Sequence, residues 1–324
     1  MKILIILPNW LGDAVMATPA IEVLCQTYPN AELTMVGSYV SIEALKHHPK
    51  CTRHYVDETK KEGNRLLNTY RFAKKLGRHD LAITFRDQIH SSLLLYFTGT
   101  VVTAARRSWH SMITIQSTPK LPNTLHLAEQ YTMLANTVCH GHKREAGPLK
   151  LYIKPGNFDK PTLGINPGAT YGSAKRWYPE KFAAVAAAFA ESYNIVIFGG
   201  PTETEMAEAI TSELDRLHIK NYTNLAGKTT IEELCSSVAA LDLFVTNDSG
   251  PMHVAAAYQV PTVAIFGPTR HKETCQWKNE KSIIVRHDMD CAPCMKRECP
   301  LGHHECMKSI GAQEVIEAIN SLTD

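Results

Sequence analysis

Apolar positions along this chain fall into two successive sets of alternating strands and helices. Residues 2–7 (KILIIL) form an unbroken apolar run, the pattern of a strand buried on both faces of a parallel sheet. The turn PNWLGD follows, and residues 14–24 then have helical spacing. Further strands are predicted at 32–36, 54–56, 81–85 and 101–104, separated by helical segments such as 64–76. The alternation restarts with a strand at 161–166, a helix at 179–192 and a strand at 194–198, and another helix begins beyond Glu203. A helix at 231–240, a strand at 243–246, a helix at about 251–258, a strand at 262–266 and a last helix at about 312–322 complete it.

Between the two sets, residues 146–161 (AGPLKLYIKPGNFDKP) have little periodicity and four Gly or Pro residues before Pro161, which marks a linker. The prediction is α/β throughout: two doubly wound, Rossmann-like domains at residues 1–155 and 156–310, with 311–324 as a terminal helix. In such sheets ligands lie beyond the carboxyl ends of the strands. Gly12 and Asp13, Arg86, and Arg106 with Arg107 would sit at that edge in the first domain.

Composition narrows the class. A chain of 324 residues with 44% hydrophobic content can fill two cores. No apolar run reaches bilayer length, and the N-terminal run is too short for a signal peptide, so a cytosolic protein with nine reduced cysteines is expected. Residues 1–155 carry 19 Lys and Arg against 11 Asp and Glu, a balance of +8, whereas residues 156–324 carry 15 against 21, a balance of −6. A basic first half suits an anionic partner, although scattered surface lysines would give the same balance. No uniformly basic block interleaved with aromatics occurs, which argues against nucleic acid.

Candidate chemistry concentrates in the loops. The first turn holds Gly12 but no G-x-G-x-x-G, so a nicotinamide oxidoreductase is disfavoured. Asp13 opens the following helix. It is either an acid favoured by the helix dipole or a carboxylate able to take a proton from an attacking hydroxyl. Residues 167–179 (PGATYGSAKRWYP) form a Gly-containing loop whose Thr170 and Lys175 can surround a diphosphate, or whose Lys-Arg pair can simply face water. Glu203 can accept ribose hydroxyls or cap its own helix. Asp248 and Ser249 are strong N-cap types, Gly250 permits close approach, and Pro251 suits the first helical position. A helix starting there aims unpaired N–H groups at one spot, a place for phosphate to which His253 can add a donor.

Together, Leu11-Gly12-Asp13, Pro167-Gly168-Ala169 with Ala174-Lys175-Arg176-Trp177, residues 224–227 (NLAG) and residues 247–250 (NDSG) with Met252-His253 resemble the ADP-heptose:lipopolysaccharide heptosyltransferases. The PGA…AKRW and NDSG.MH forms are more similar to type II members than to type I. The resemblance implies a GT-B glycosyltransferase, its two domains facing each other across a cleft. It implies an inverting, metal-independent transfer of heptose from ADP-heptose, without cofactor, to the first heptose of the inner core on Kdo2-lipid A. The implied place is the inner face of the inner membrane, with peripheral contact, and the expected state is a monomer. By the same resemblance Asp13 would be the base, Thr170 and Lys175 would hold the diphosphate, Glu203 the ribose, and Asp248, Ser249, Gly250 and His253 the donor-side helix terminus. Arg86, Arg106 and Arg107 are candidate acceptor contacts or solvated surface arginines. The last helix is expected to return to the first domain.

Three alternatives stay open at this point: type I chemistry, a nucleotide-sugar epimerase, and a non-catalytic nucleotide-sugar binder. One departure stands out. Cys291, Cys294, Cys299 and Cys306 follow C-x2-C-x4-C-x6-C, which suits either a structural zinc or a reduced cysteine-rich loop.

Overall fold

The computed structural model describes residues 1–61, 63–141 and 143–323, so Asp324 of the expected terminal helix lies outside them. The chain forms two compact units, Met1–Tyr152 and Ile153–Asp324. Their boundary falls three residues before the predicted one.

The first unit contains β1 (Lys2–Ile6), α1 (Leu11–Met16), α2 (Thr18–Thr27), β2 (Glu32–Gly37), α3 (Tyr39–Leu45), β3 (Cys51–Val56), α4 (Arg65–Leu76), β4 (Leu81–Thr84), α5 (Ile89–Thr98), β5 (Val102–Ala105), α6 (Ser111–Thr114) and α7 (Leu127–Asn136). Its five strands are all parallel, in the order β3-β2-β1-β4-β5. Central β1 and β4 are apolar on both faces because helices cover both, while the edge strand β3 carries exposed Thr52, Arg53 and His54. The helix expected at 14–24 is instead two helices that meet at Ala17. Pro19 supplies no backbone N–H, so it is accommodated in the first turn of α2 and not inside a longer helix.

The second unit contains β6 (Thr162–Asn166), α8 (Pro179–Phe189), β7 (Asn194–Ile197), α9 (Thr204–Arg216), β8 (Tyr222–Asn224), α10 (Ile231–Ala239), β9 (Leu243–Asn247), α11 (Gly250–Ala257), β10 (Thr262–Ile265), α12 (His271–Thr274), β11 (Ser282–Val285), α13 (Glu305–Lys308) and α14 (Ala312–Thr323). The sheet order is β11-β10-β9-β6-β7-β8, again all parallel. In each unit the chain reverses its direction of travel across the sheet beside the first strand, between β1 and β4 and between β6 and β9. A crevice for a ligand opens at such a point.

The terminal helix corrects the sequence reading. Val315, Ala318 and Ile319 of α14 are buried in the core of the second unit with Trp177, Phe182 and Val263, so the apolar stripe of the helix is used by its own unit. Trp177 reinforces this placement, because its indole N–H donates to the carbonyl of Ile310 at 3.1 Å. Ile319 is fully buried, so Ile319→Ala should cost about 2–5 kcal/mol of stability. Chemical denaturation followed by tryptophan fluorescence would measure that loss, and a change under about 0.5 kcal/mol, typical of surface sites, would be incompatible with this packing.

Candidate active site

Asp13 stands in the first turn of α1 and lines a cavity of about 260 Å³ in the first unit. Strand ends bring the other walls: Asn9 and Trp10 after β1, Phe85, Arg86, Asp87 and Gln88 after β4, and Arg106 after β5. The cavity thus opens at the β1/β4 switch point. From α7 come Gln130 and Tyr131, which the sequence reading missed. Their signal is polar side chains within an apolar helical stripe. Both are buried, and Gln130 Oε1 has no hydrogen-bond partner. Burial pushes the Tyr131 phenol well above its usual range, the Asp13 carboxylate adds to the rise, and Arg106 opposes it, so these three groups feel one another electrostatically.

Arg86 is no surface arginine; only 7% of it is exposed. Its Nε donates to the Leu7 carbonyl at 2.6 Å and its Nη1 meets Asp57 Oδ2 at 3.0 Å, while Nη2 is buried without a partner. His90 Nε2 lies 3.1 Å from the same Asp57 oxygen, and Thr59 donates its hydroxyl to Asp57 Oδ1 at 2.7 Å. Burial alone would raise the Asp57 carboxyl. The bonds from His90 and Thr59, with the charges of His90 and Arg86, outweigh it and hold that carboxyl well below its usual range. Arg106 lines the cavity and donates to Asn123, whereas Arg107 is exposed and does not line it. Gly12 is buried in α1.

In the second unit the loop after β6 meets the loop after β9. Lys175 Nζ lies 2.6 Å from Asp248 Oδ2 and donates to the Asp248 carbonyl at 3.2 Å. Thr269 donates to that carboxylate at 2.6 Å. Lys175 is therefore anchored and does not simply face water; its ammonium also lies 4.9 Å from the centre of the Tyr171 ring. This corrects the capping role expected of Asp248, whose carboxylate is spent on Lys175 and Thr269. Ser249 occupies the N-cap position of α11, but its side chain makes no capping bond. Its hydroxyl instead takes a bond from Asn166 Nδ2 at 3.0 Å. Gly250 and Pro251 begin α11, and His253 is buried in its first turn. Thr170 is exposed on the loop.

Glu203 is buried and accepts the Gly200 N–H at 2.7 Å through Oε2, a local capping bond, while Oε1 is buried without a partner. Gly168 lies against it: a β-carbon built there would stand 2.1 Å from the Glu203 carboxyl. A glycine is thus required because a carboxylate occupies the space of its side chain.

Behind the 167–175 loop, a segment without regular structure follows β11. The Ala174 N–H donates to the Arg297 carbonyl at 3.0 Å, and the Tyr171 hydroxyl donates to the Met295 carbonyl at 2.8 Å. His304 Nε2 lies 2.8 Å from the Ala174 carbonyl. Cys291, Cys294, Cys299 and Cys306 line one small cavity with His303 and His304, and all are free thiols. Among the described residues no three His, Cys, Asp or Glu side chains are arranged to hold a metal ion.

Residues 69–305 match Glycosyltransferase family 9 (heptosyltransferase). Lipooligosaccharide heptosyltransferase 2 of Campylobacter jejuni is 38% identical, over 99% of this chain and 98% of that protein. The solved Escherichia coli ADP-heptose lps heptosyltransferase II superposes with a TM-score of 0.82 at 26% identity, covering 99% of this chain and 98% of that one. A glycosyltransferase family 9 structure from Veillonella parvula gives 0.83 at 25% identity, covering 99% and 96%. Both sheets fall within the two structural matches, in keeping with the GT-B class.

Two outcomes test this geometry. Gly168→Ala should displace Glu203 and lower stability by about 1–3 kcal/mol in chemical denaturation, and an unchanged stability would contradict the close approach. For Asp57, the folded carboxyl releases its proton more readily than the unfolded one, so its contribution is complete above about pH 4 and is lost as pH falls below that. Asp57→Asn should therefore flatten the acid limb of a stability-against-pH curve, and an unchanged limb would contradict the network.

Proposed function

This chain belongs to glycosyltransferase family 9, the heptosyltransferases, and from that premise we propose that it transfers L-glycero-D-manno-heptose from ADP-heptose to the first heptose of an inner core carried on Kdo2-lipid A. The observation that carries the reading is the composition of the Asp13 cavity. Asp13, in a helix's first turn, shares a recess with Asp87, Arg86, Arg106, Gln130 and Tyr131, and the two arginines with the polar groups suit a hydroxyl-rich, anionic acceptor. The basic balance of residues 1–155 supports the same acceptor class.

In this reading Asp13 accepts the proton of the attacking acceptor hydroxyl. That hydroxyl becomes strongly acidic as its oxygen bonds to the electron-poor anomeric carbon, so a carboxylate suffices to take its proton. The second unit takes the donor. Its diphosphate lies at the β6/β9 switch point, against the ammonium of Lys175 and the positive end of the α11 dipole. Asp248 fixes the ammonium in place, so little reorganisation is needed as charge builds on the departing ADP. Thr170 is a further diphosphate contact, and Oε1 of Glu203 remains for a ribose hydroxyl. With ADP stabilised in this way no acid need protonate it, and a single displacement inverts the anomeric centre. No metal or cofactor takes part. The enzyme works in the cytoplasm as a monomer, at the inner face of the inner membrane.

The test is transfer from ADP-heptose to lipid A acceptors bearing zero or one heptose, with the product linkage determined. Product only from the one-heptose acceptor is the expected result. Efficient use of the zero-heptose acceptor would instead assign type I chemistry. Asp13→Asn should lower transfer by roughly 10²–10⁴-fold with ADP affinity retained, and near-normal turnover would reject the base assignment. Lys175→Ala should raise the donor KM by about ten-fold or more, since a charge-assisted bond to phosphate is worth roughly 1.5–3 kcal/mol.

A further inference from the structure

One stretch of the first unit turns its apolar side chains outward. After β5 the chain makes an excursion around α6 before reaching α7. Its interior is polar: the Ser108 N–H donates to Ser111 Oγ at 2.8 Å, Ser111 Oγ donates to the Arg106 carbonyl at 2.8 Å, and Thr114 donates to the His110 carbonyl at 3.0 Å. Its outer side carries Trp109, Met112 and Ile113, which are 68%, 51% and 76% exposed. A Trp, a Met and an Ile exposed together within five residues reverse the usual arrangement and mark a surface that is covered in use.

Charge identifies what covers it. Residues 88–128 contain no Asp or Glu, whereas Arg106, Arg107 and Lys120 flank the apolar side chains. The Arg107 N–H donates to the Pro119 carbonyl at 3.1 Å, which brings the two ends of the excursion together and sets Lys120 beside Arg107. Basic side chains around an exposed tryptophan and aliphatic groups match an anionic bilayer surface, with indole at the headgroup level and the cations among phosphates.

The surface is also continuous with the cavity of Asp13. Arg106 and Leu121 line that cavity, and His110 lies 3.1 Å from Ser92 and 3.7 Å from Asp87, itself a lining residue. We propose that residues 106–120 form a membrane-docking surface that seats the first unit on anionic phospholipid and presents a lipid-anchored acceptor to the Asp13 cavity. The acceptor clause rests on the function proposed above; the docking clause does not.

The test compares wild type with the Trp109→Ser/Ile113→Ser double variant, whose changes are on exposed side chains and leave the fold intact. Wild type should sediment with phosphatidylglycerol/phosphatidylcholine vesicles, more weakly with pure phosphatidylcholine, and less as salt rises. Brominated acyl chains should quench its fluorescence, and that quenching should be lost in Trp109→Ser. The double variant should partition roughly ten-fold less. It should use vesicle-embedded acceptor more slowly while matching wild type on a deacylated, water-soluble acceptor. Equal partition of the two proteins, or wild-type quenching unaffected by Trp109→Ser, would overturn the proposal. So would a lipid-free dimer of wild type that the double variant abolishes, because a second copy would then be the occupant. Failure of wild type on every acceptor would count against the proposed activity, while the vesicle measurements would still decide the docking surface.

Discussion

Within each sheet all the described strands are parallel, and this constraint determines where chemistry can occur in each unit. A parallel sheet delivers all its strand ends to one edge, and a reversal in strand order leaves a gap there. In the first unit the gap lies between β1 and β4, and Asp13, Arg86 and Arg106 all follow strands that border or neighbour it. In the second it lies between β6 and β9, where Lys175 and Asp248 meet although 73 residues separate them. Neither arrangement needs an elaborate local motif. Short loops on a polar edge suffice, because the strands behind them are fixed by burial.

Much of this was legible in the sequence for the same reason. Strands β1, β4, β6 and β9 read as short, mostly apolar runs because helices cover them on both faces. Strands β8 and β11 escaped notice: three or four residues with partly exposed side chains leave little signal at a sheet edge. Pairings between distant residues were also hidden. Arg86 has the sequence context of a surface arginine, and its burial against Asp57 depends on the neighbouring positions of α5 and the β3 end. Gln130 and Tyr131 were overlooked because α7 looks like any amphipathic helix until its place beside the β1 loop is known. The resemblance places the terminal helix against the first unit, whereas its apolar stripe fills the core of the second; the stripe itself records burial without recording which core is filled.

The two sites manage charge in contrasting ways. Around Asp57 a buried carboxylate, guanidinium and imidazole satisfy one another, and removing any one leaves an uncompensated polar group in the interior. Such a network is costly to desolvate and adds little net stability, but it leaves the cavity wall one low-energy arrangement. At the second site the Lys175 ammonium stays close to the surface under the control of one carboxylate, so an incoming anion would share an existing pair and would not have to order a free side chain.

The segment behind the 167–175 loop bears on how variants of this enzyme behave. Met295 and Arg297 hold the 167–175 loop through their backbone carbonyls, and His304 holds it through its ring, at Tyr171 and Ala174. The site thus leans on a scaffold more than 100 residues downstream. A change in how that scaffold packs would shift the loop that carries Lys175 while Lys175 and Asp248 themselves stay the same.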